Sequence, residues 1–238
     1  TTIAFVGAGA AGIELALSMQ HAFRGRDTAF TLISAANTLP GSVGPRIARI
    51  MRQRGFGILP GQAAVRIEAG RVHLQNGATV EADYIVVSTG ATAAAWPRAS
   101  GIKTDERGFI LVNEHLQSIS HADIFAAGDC ATMADHARPK SGVYAVRAGP
   151  PLAENLRRAL RGEALRRYVP QRNSLYLIST GDPYAIASWG GFSWQGAWVW
   201  RWKDRIDRRF MRMFQVLDEA GAPLPGAMGA MSDEIGRA

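Results

Sequence analysis

An α/β fold built on a parallel sheet is predicted by three features of the sequence. The chain opens on a short apolar run, Ile3-Ala4-Phe5-Val6, followed at once by Gly7-x-Gly9-x-x-Gly12 and an Ala/Leu-rich stretch. Two further runs, Thr28 to Ile33 and Tyr84 to Gly90, have the near-continuous apolarity of strands buried on both faces, as parallel strands are. Between them, three short alternating segments separated by Gly70 and Asn76-Gly77 read as a small antiparallel β-meander.

Taken in order, the first strand delivers the chain into a turn built from glycines. Gly7 permits the tight turn, Gly9 removes a Cβ where backbone must approach phosphates, and Gly12 lets the next helix, residues 12–23, pack close to the strand. In this strand–turn–helix setting, Gly7, Ala8, Gly9, Ala10, Ala11 and Gly12 form a candidate dinucleotide-binding turn, with the helix N–H groups and positive dipole end facing a pyrophosphate. An ordinary glycine-rich turn is the alternative. The end of the second strand is where an acid holds ribose hydroxyls or an arginine accepts a 2′-phosphate. Ser34 stands there, so NAD and NADP both remain open, with a lean to NAD; Arg46 or Arg49 serves a phosphate or is simply solvated. A helix over 43–54 and an extended Gly57-Ile58-Leu59 precede the meander, whose segments are Val65 to Glu68, Val72 to Leu74 and Thr79 to Ala82. The strand over 84–90 ends in Thr89-Gly90, and such a strand end faces the cofactor cleft.

Bulk properties describe a globular chain. With 238 residues, 47% hydrophobic and 20% charged, it can build two modest cores. No apolar run reaches the roughly 18 residues that span a bilayer, and no signal segment precedes the first strand, so a cytoplasmic location is expected. The single cysteine, Cys130, cannot form an internal disulfide or a paired-thiol redox centre. The five histidines lack ligand spacing and no metal site is expected. Residues 138–212 carry 15 Lys/Arg against 5 Asp/Glu within a net charge of +7, leaving about −3 elsewhere. The basic character is therefore regional, which points to a surface with a partner. No nucleic-acid-binding motif accompanies it, and nucleic acid is not expected as a partner.

The order of the glycine turn with Glu14, a β-meander, a strand ending in Ser88-Thr89-Gly90, and then Ile124-Phe125-Ala126-Ala127-Gly128-Asp129 resembles the pyridine-nucleotide oxidoreductase superfamily with two dinucleotide-binding domains. Downstream, PKSGVYAVRAGPPLAENLRRAL, NSLYLISTGDPYAIASWGG and WVWRWKDRIDRRFM resemble the type II NADH dehydrogenase-like flavoproteins found fused to selenide, water dikinase. The resemblance covers nearly all of residues 2–214. It implies an NAD(P)-binding, Rossmann-like domain over 1–95, the C-terminal part of an FAD-binding domain over 96–220, and a tail or linker over 221–238. It further implies that the first FAD segment is missing, that this chain alone grips FAD poorly, and that a fused or associated selenide, water dikinase is a partner.

Several residues acquire roles from that resemblance. Ile124 to Asp129 reads as a buried strand ending in a Gly128-Asp129 turn, whose Asp accepts hydrogen bonds from the flavin ribityl chain in the family; alone, it would be a turn or N-cap Asp. Pro139 to Tyr144 reads as a turn into a helix with Ser141 as N-cap, and in the family this helix end, here Ser141, Gly142 and Val143, points at the flavin pyrimidine ring. Lys140 adds a charge there or is solvated. Relatives that reduce quinones carry Ala-Gln where this chain has Ser141-Gly142-Val143, a departure that counts against quinone as acceptor. Glu14 lies toward the nicotinamide as a positioning group, or is a solvated first-turn Glu. No catalytic acid or base is assigned, because hydride transfer needs alignment and no proton donor.

Near the C-terminus, Trp198, Trp202, Ile206, Phe210 and Phe214 recur every four residues beside Arg201, Arg205, Arg208, Arg209 and Arg212. This is a basic amphipathic helix that either packs its stripe against protein or lies on an anionic membrane surface. The leading expectation is an FAD-dependent NAD(P)H oxidoreductase that passes hydride from NAD(P)H to FAD and electrons to a small-molecule acceptor. The alternative is a non-catalytic nucleotide-binding or interaction module that uses the basic C-terminal face.

Overall fold

The structure is a computed structural model that describes residues 1–37, 39 and 42–213. Two compact units divide it: residues 1–85 with 176 onward, and residues 86–175. The first unit begins with β1 (Thr2–Val6), α1 (Ala10–Ala22), β2 (Ala29–Ile33), α2 (Gly44–Gln53) and β3 (Gly57–Leu59). β1 and β3 each pair in parallel with β2, Val6 lying opposite Ile33 and Ile33 opposite Leu59. The meander follows as β4 (Ala64–Glu68), β5 (Arg71–Leu74) and β6 (Thr79–Glu81), an antiparallel three-stranded sheet in that order. β7 (Tyr84–Val87) completes the first sheet, whose order is β3-β2-β1-β7.

Side-chain alternation explains how this sheet is covered. Ala4 and Val6 on β1 share one face and form a core with Ile33, Val72, Leu74 and Ala82, so the meander closes that side. Ile3 and Phe5 therefore occupy the other face, where Phe5 stacks on Phe30, and Phe30 in turn meets Phe23 and Phe56. α1 runs along β1 and β2 with Ile13, Ala16 and Leu17 fully buried. Each of these larger side chains contributes about 1.5–3 kcal/mol by leaving water.

The second unit contains α3 (Trp96–Ala99), β8 (Ile110–Val112), β9 (Ala131–Met133) and α4 (Gly142–Leu160). β8 and β9 pair in parallel. Its core gathers Ile110, Val112, Leu116, Ala126 and Ala148. Asn155 on α4 is wholly buried yet fully partnered: its amide nitrogen donates to the carbonyls of His115 and Arg166 at 2.8 Å, and its oxygen accepts the Arg166 N–H. The expected strand over 124–129, ending in the Gly128-Asp129 turn, is reduced to one bridge, Phe125 to Gln117, although Ala126 is buried. Its ladder stops at two bonds, Ser118 N–H to Ile124 O and Ala126 N–H to Leu116 O, too few to extend a strand.

After residue 175 the chain rejoins the first unit as β10 (Tyr176–Ser179), β11 (Ala185–Trp189), β12 (Phe192–Gly196) and α5 (Ala197–Arg212). The three strands form an antiparallel sheet that sequence reading did not anticipate, with β10 packed on α1 and α5 packed on all three strands. The observed grouping therefore differs from a single second domain over 96–220. Phe214 and the tail over 221–238 lie outside the described residues.

Two contacts show why β10 belongs with α1. Gly181, at φ +89°, sits so close to the helix that a Cβ there would lie 2.7 Å from the Leu17 carbonyl oxygen, 2.8 Å from His21 Cβ and 2.9 Å from Ser18 Cα. Nearby, Asp182 Oδ1 meets Arg54 Nη2 at 2.9 Å and accepts the hydroxyl of the buried Thr180, while Arg54 also donates to the Thr180 carbonyl. Burial pushes the Asp182 carboxyl upward, but the Arg54 and Thr180 hydrogen bonds outweigh it and hold the group below the usual aspartate value. Among the described residues no helix is long and apolar enough to cross a membrane.

Gly181→Ala is expected to destabilise the first unit by about 2–4 kcal/mol in thermal or urea unfolding, since helix backbone must move. Gly191→Ala, also at positive φ but with open space around it, should lose only about 1 kcal/mol. Because the folded Asp182 pKa is depressed, its contribution is present above the unfolded value of 3.8 and lost as pH falls through the folded value. Arg54→Met should flatten that acid limb and lower stability at neutral pH by about 1 kcal/mol, a figure kept small because the carboxylate is one-third exposed.

Candidate functional site

The glycine turn has the conformation its sequence requires. Gly7 adopts φ +112°, a region closed to most side chains, while its N–H donates to Ile33 O at 3.0 Å and anchors the turn to β2. Gly9 caps α1 in ordinary extended geometry, and a Cβ there would meet nothing within 4 Å. The space in front of it is open to a ligand. α1 begins at Ala10, two residues earlier than expected; its first intrahelical bond runs from Ile13 N–H to Gly9 O, so the N–H groups of Ala10, Ala11 and Gly12 carry no acceptor among the described residues. No acidic side chain occupies the first turn, and Gly12 is buried against the fold. Unclaimed N–H groups, a positive helix end and a missing Cβ fit a pyrophosphate.

Other expected residues are placed differently. Ser34 is buried, donating its hydroxyl to Ala36 O at 3.1 Å while its backbone bonds Leu59 and Gln62. Glu14 falls beyond the first turn because the helix starts early, and it is not solvated: its carboxylate accepts the Ser179 N–H at 3.2 Å and pairs with Lys203 Nζ at 3.1 Å. Arg46 donates to Ser193 Oγ at 3.2 Å, whereas Arg49 is exposed. Thr89 and Gly90 are exposed in irregular chain after β7.

The second unit carries its own candidate site, an open pocket around the Gly128-Asp129 turn and the α4 N-terminus. Gly128, at φ +71°, approaches α4 so closely that a Cβ would lie 3.2 Å from Ala145 Cβ. The Asp129 carboxylate is exposed at this pocket and makes no hydrogen bond among the described residues, which sets aside the N-cap reading. Ser141 does occupy the N-cap position of α4, but its hydroxyl makes no cap bond and is buried without a partner. Its carbonyl accepts the N–H groups of Tyr144 and Ala145, leaving those of Gly142 and Val143 unclaimed among the described residues. An acceptor carboxylate beside a helix end with spare donors fits a ligand that presents both hydroxyls and an electron-rich ring edge.

Lys140 lines this pocket and is held there by partners of its own. Its ammonium donates to Ala131 O and to Thr132 Oγ1 at 3.0 Å, and lies 4.3 Å from the centre of the Phe109 ring. The Thr132 hydroxyl in turn donates a hydrogen bond to Asp105 Oδ2 at 2.8 Å. Burial holds the Lys140 pKa below the ordinary lysine value, with Asp105 and Asp129 pulling it partly back. Sequence reasoning missed Asp105, Phe109 and Thr132, since no motif links them. It also missed Tyr168, whose hydroxyl is buried without a partner at the same pocket and whose pKa is raised by burial. Cys130 is exposed, its thiol directed to Ala127 O.

Residues 1–149 match the family profile described as pyridine nucleotide-disulphide oxidoreductase. Ferroptosis suppressor protein 1 of Xenopus tropicalis is 25% identical over 206 residues, covering 79% of this chain and 54% of that protein. The NADH dehydrogenase-like protein YutJ of Bacillus subtilis is 26% identical over 174 residues, covering 71% and 47%. The chain thus spans about half the length of these curated relatives. Among solved structures, the sulfide:quinone oxidoreductase of the hyperthermophilic bacterium Aquifex aeolicus shares the fold, with a TM-score of 0.68, 16% identity, and coverage of 89% of this chain and 57% of that one. FAD and NAD(P)H are the cofactors of the matched family. With the profile covering more than half of its residues, the chain belongs to the pyridine nucleotide-disulphide oxidoreductase family.

Proposed function

We propose that this chain forms the NAD(P)H-binding unit and one wall of the flavin site of an FAD-dependent NAD(P)H oxidoreductase that delivers electrons to a small-molecule acceptor. The observation that carries the proposal is the open glycine turn: positive φ at Gly7, empty space at Gly9 and three unclaimed N–H groups at the start of α1. Those groups hold a pyrophosphate without a lysine or arginine, because oriented N–H dipoles and the helix end supply the positive potential. Bound FAD would supply the acceptor for the nicotinamide hydride, chemistry that no side chain offers by itself.

The chain's own residues bind, orient and tune. Asp129 accepts hydroxyl hydrogen bonds from the flavin chain, and the spare N–H groups of Gly142 and Val143 favour negative charge at the pocket. Lys140, held by Ala131 and Thr132, contributes a positive field at the pocket it lines. Ser34 leaves the ribose without a carboxylate partner, so selection between NADH and NADPH falls to backbone and to the exposed Arg49.

Titration of the purified chain with NADH and with NADPH, read by nicotinamide fluorescence, tests the reading. Gly9→Val should weaken binding by tenfold or more, about 1.4 kcal/mol, with an unchanged melting temperature, because its side chain enters space that only a ligand uses. No binding of either nucleotide by the parent chain at millimolar concentration would sink the proposal. Asp129→Ala should shift stability by no more than about 0.5 kcal/mol, since its carboxylate supports nothing in the fold, while lowering affinity for added FAD in a flavin-fluorescence titration.

A further inference from the structure

Two hydroxyls at the Asp129 pocket serve no purpose inside the fold. The side-chain oxygens of Ser141 and Tyr168 are both buried, and neither has a hydrogen-bond partner among the described residues. They belong to different parts of the second unit, the N-cap of α4 and the chain that follows that helix, yet both residues line the one pocket. A hydroxyl taken out of water without a partner is costly, and native folds rarely leave one unless a ligand or an ordered water completes it.

Tyr168 is fixed at every point except that hydroxyl. Its N–H donates to Glu114 O at 2.8 Å, and its ring packs on the core of the second unit. On the N-terminal side, the buried Asn155 accepts the Arg166 N–H at 2.8 Å and donates to the Arg166 carbonyl; on the C-terminal side, Arg138 Nε donates to Gln171 O at 3.0 Å. Burial holds the phenol pKa above the ordinary tyrosine value, against the pull of Arg147 and Arg138, so the group is a neutral O–H at neutral pH. Val112, Leu116, Ala145 and Ala148 supply apolar lining, and the unclaimed N–H groups of Gly142 and Val143 add donors at the helix end. Hydroxyls and N–H groups set among apolar side chains suit the edge of a flat conjugated ring that carries carbonyl oxygens.

We propose that Tyr168 is a flavin-binding residue whose hydroxyl, together with that of Ser141, hydrogen-bonds the carbonyl-bearing edge of the flavin ring. The inference rests on the reading of this pocket as the flavin site, and it adds a residue that neither the glycine turn nor the Gly128-Asp129 turn marks. The two kinds of contact divide the cofactor between them. Asp129, an acceptor, takes the hydroxyls of the flavin chain, whereas the Tyr168 and Ser141 hydroxyls serve the ring. Neither hydroxyl gives up its proton; each positions the ring and favours electron density on its carbonyl edge.

Flavin-fluorescence titration of the full chain with FAD and with lumiflavin, which keeps the ring but lacks the ribityl and ADP portions, tests it. Tyr168→Phe should weaken both by the same factor, about three- to tenfold, the range of a single hydrogen bond. Ser141→Ala should act in the same way. Asp129→Ala, in contrast, should weaken FAD and leave lumiflavin binding unchanged. The melting temperature of the ligand-free chain should be the same in Tyr168→Phe as in the parent, because the hydroxyl bonds nothing in the fold. Equal affinity of Tyr168→Phe and parent for both flavins would overturn the proposal while leaving the flavin site standing. So would a loss confined to FAD, which would assign Tyr168 to the ribityl chain, or a lowered melting temperature of the free chain, which would assign the hydroxyl to the fold through an ordered water. Failure of the parent chain to bind either flavin would overturn the proposal together with the reading of the pocket.

Discussion

α1 has to be approached closely from two sides, and the first unit depends on that constraint. On the sheet side, Gly12 and Ala16 are small enough to let Ile13 and Leu17 reach full burial against β1 and β2. On the other side, Gly181 brings the turn after β10 onto the backbone of Leu17 and Ser18, a distance no side chain allows. The helix is therefore held along its flanks while its N-terminus stays unencumbered. That division of labour suits a helix whose end must offer N–H groups to a ligand, because a side-chain cap would compete for them.

The same physics recurs at α4. There the Gly128 turn presses on Ala145, and the N-cap hydroxyl of Ser141 withholds its bond, so the first-turn donors of Gly142 and Val143 remain available. The two units thus offer one kind of recognition element twice, a glycine turn against a helix whose end carries spare donors. They differ in the adjoining charge. The α1 end has no acid in its first turn, as a phosphate site requires, whereas Asp129 stands beside α4 as an acceptor for hydroxyls.

Polar side chains near these ends are mostly used to build and not to bind. Ser34 closes the loop after β2, Glu14 joins α1 to β10 and α5, and Lys140 ties the turn before α4 to β9. The half-buried Lys140 ammonium is compensated because a carbonyl, a hydroxyl and an aromatic face replace part of its water, with Asp105 one hydrogen bond away. The Lys203 ammonium, set between Glu14 and Asp207, is likewise compensated; burial alone would lower its pKa, and the two carboxylates carry it above the ordinary lysine value. In each case neighbouring groups of the fold hold the charge in place.

The backbone parts of the candidate site were legible in the sequence. Glycine is the residue that the turn geometry tolerates at Gly7 and Gly128, and apolar runs of period two or of unbroken character place β1, β2 and the meander with little interference from context. Strands β10 to β12 were not legible, because their burial comes from α1 and α5 and not from any local alternation; nor was the orientation of α5, whose Val199 is fully buried and whose Lys203 pairs with Glu14 while Trp198, Trp202 and Ile206 stay partly exposed. Ser34, Glu14 and Lys140 mark the same boundary. A glycine's role follows from the conformation of its own backbone, which the sequence carries. A polar side chain's role depends on which partner lies within about 3 Å, and only the tertiary fold decides that.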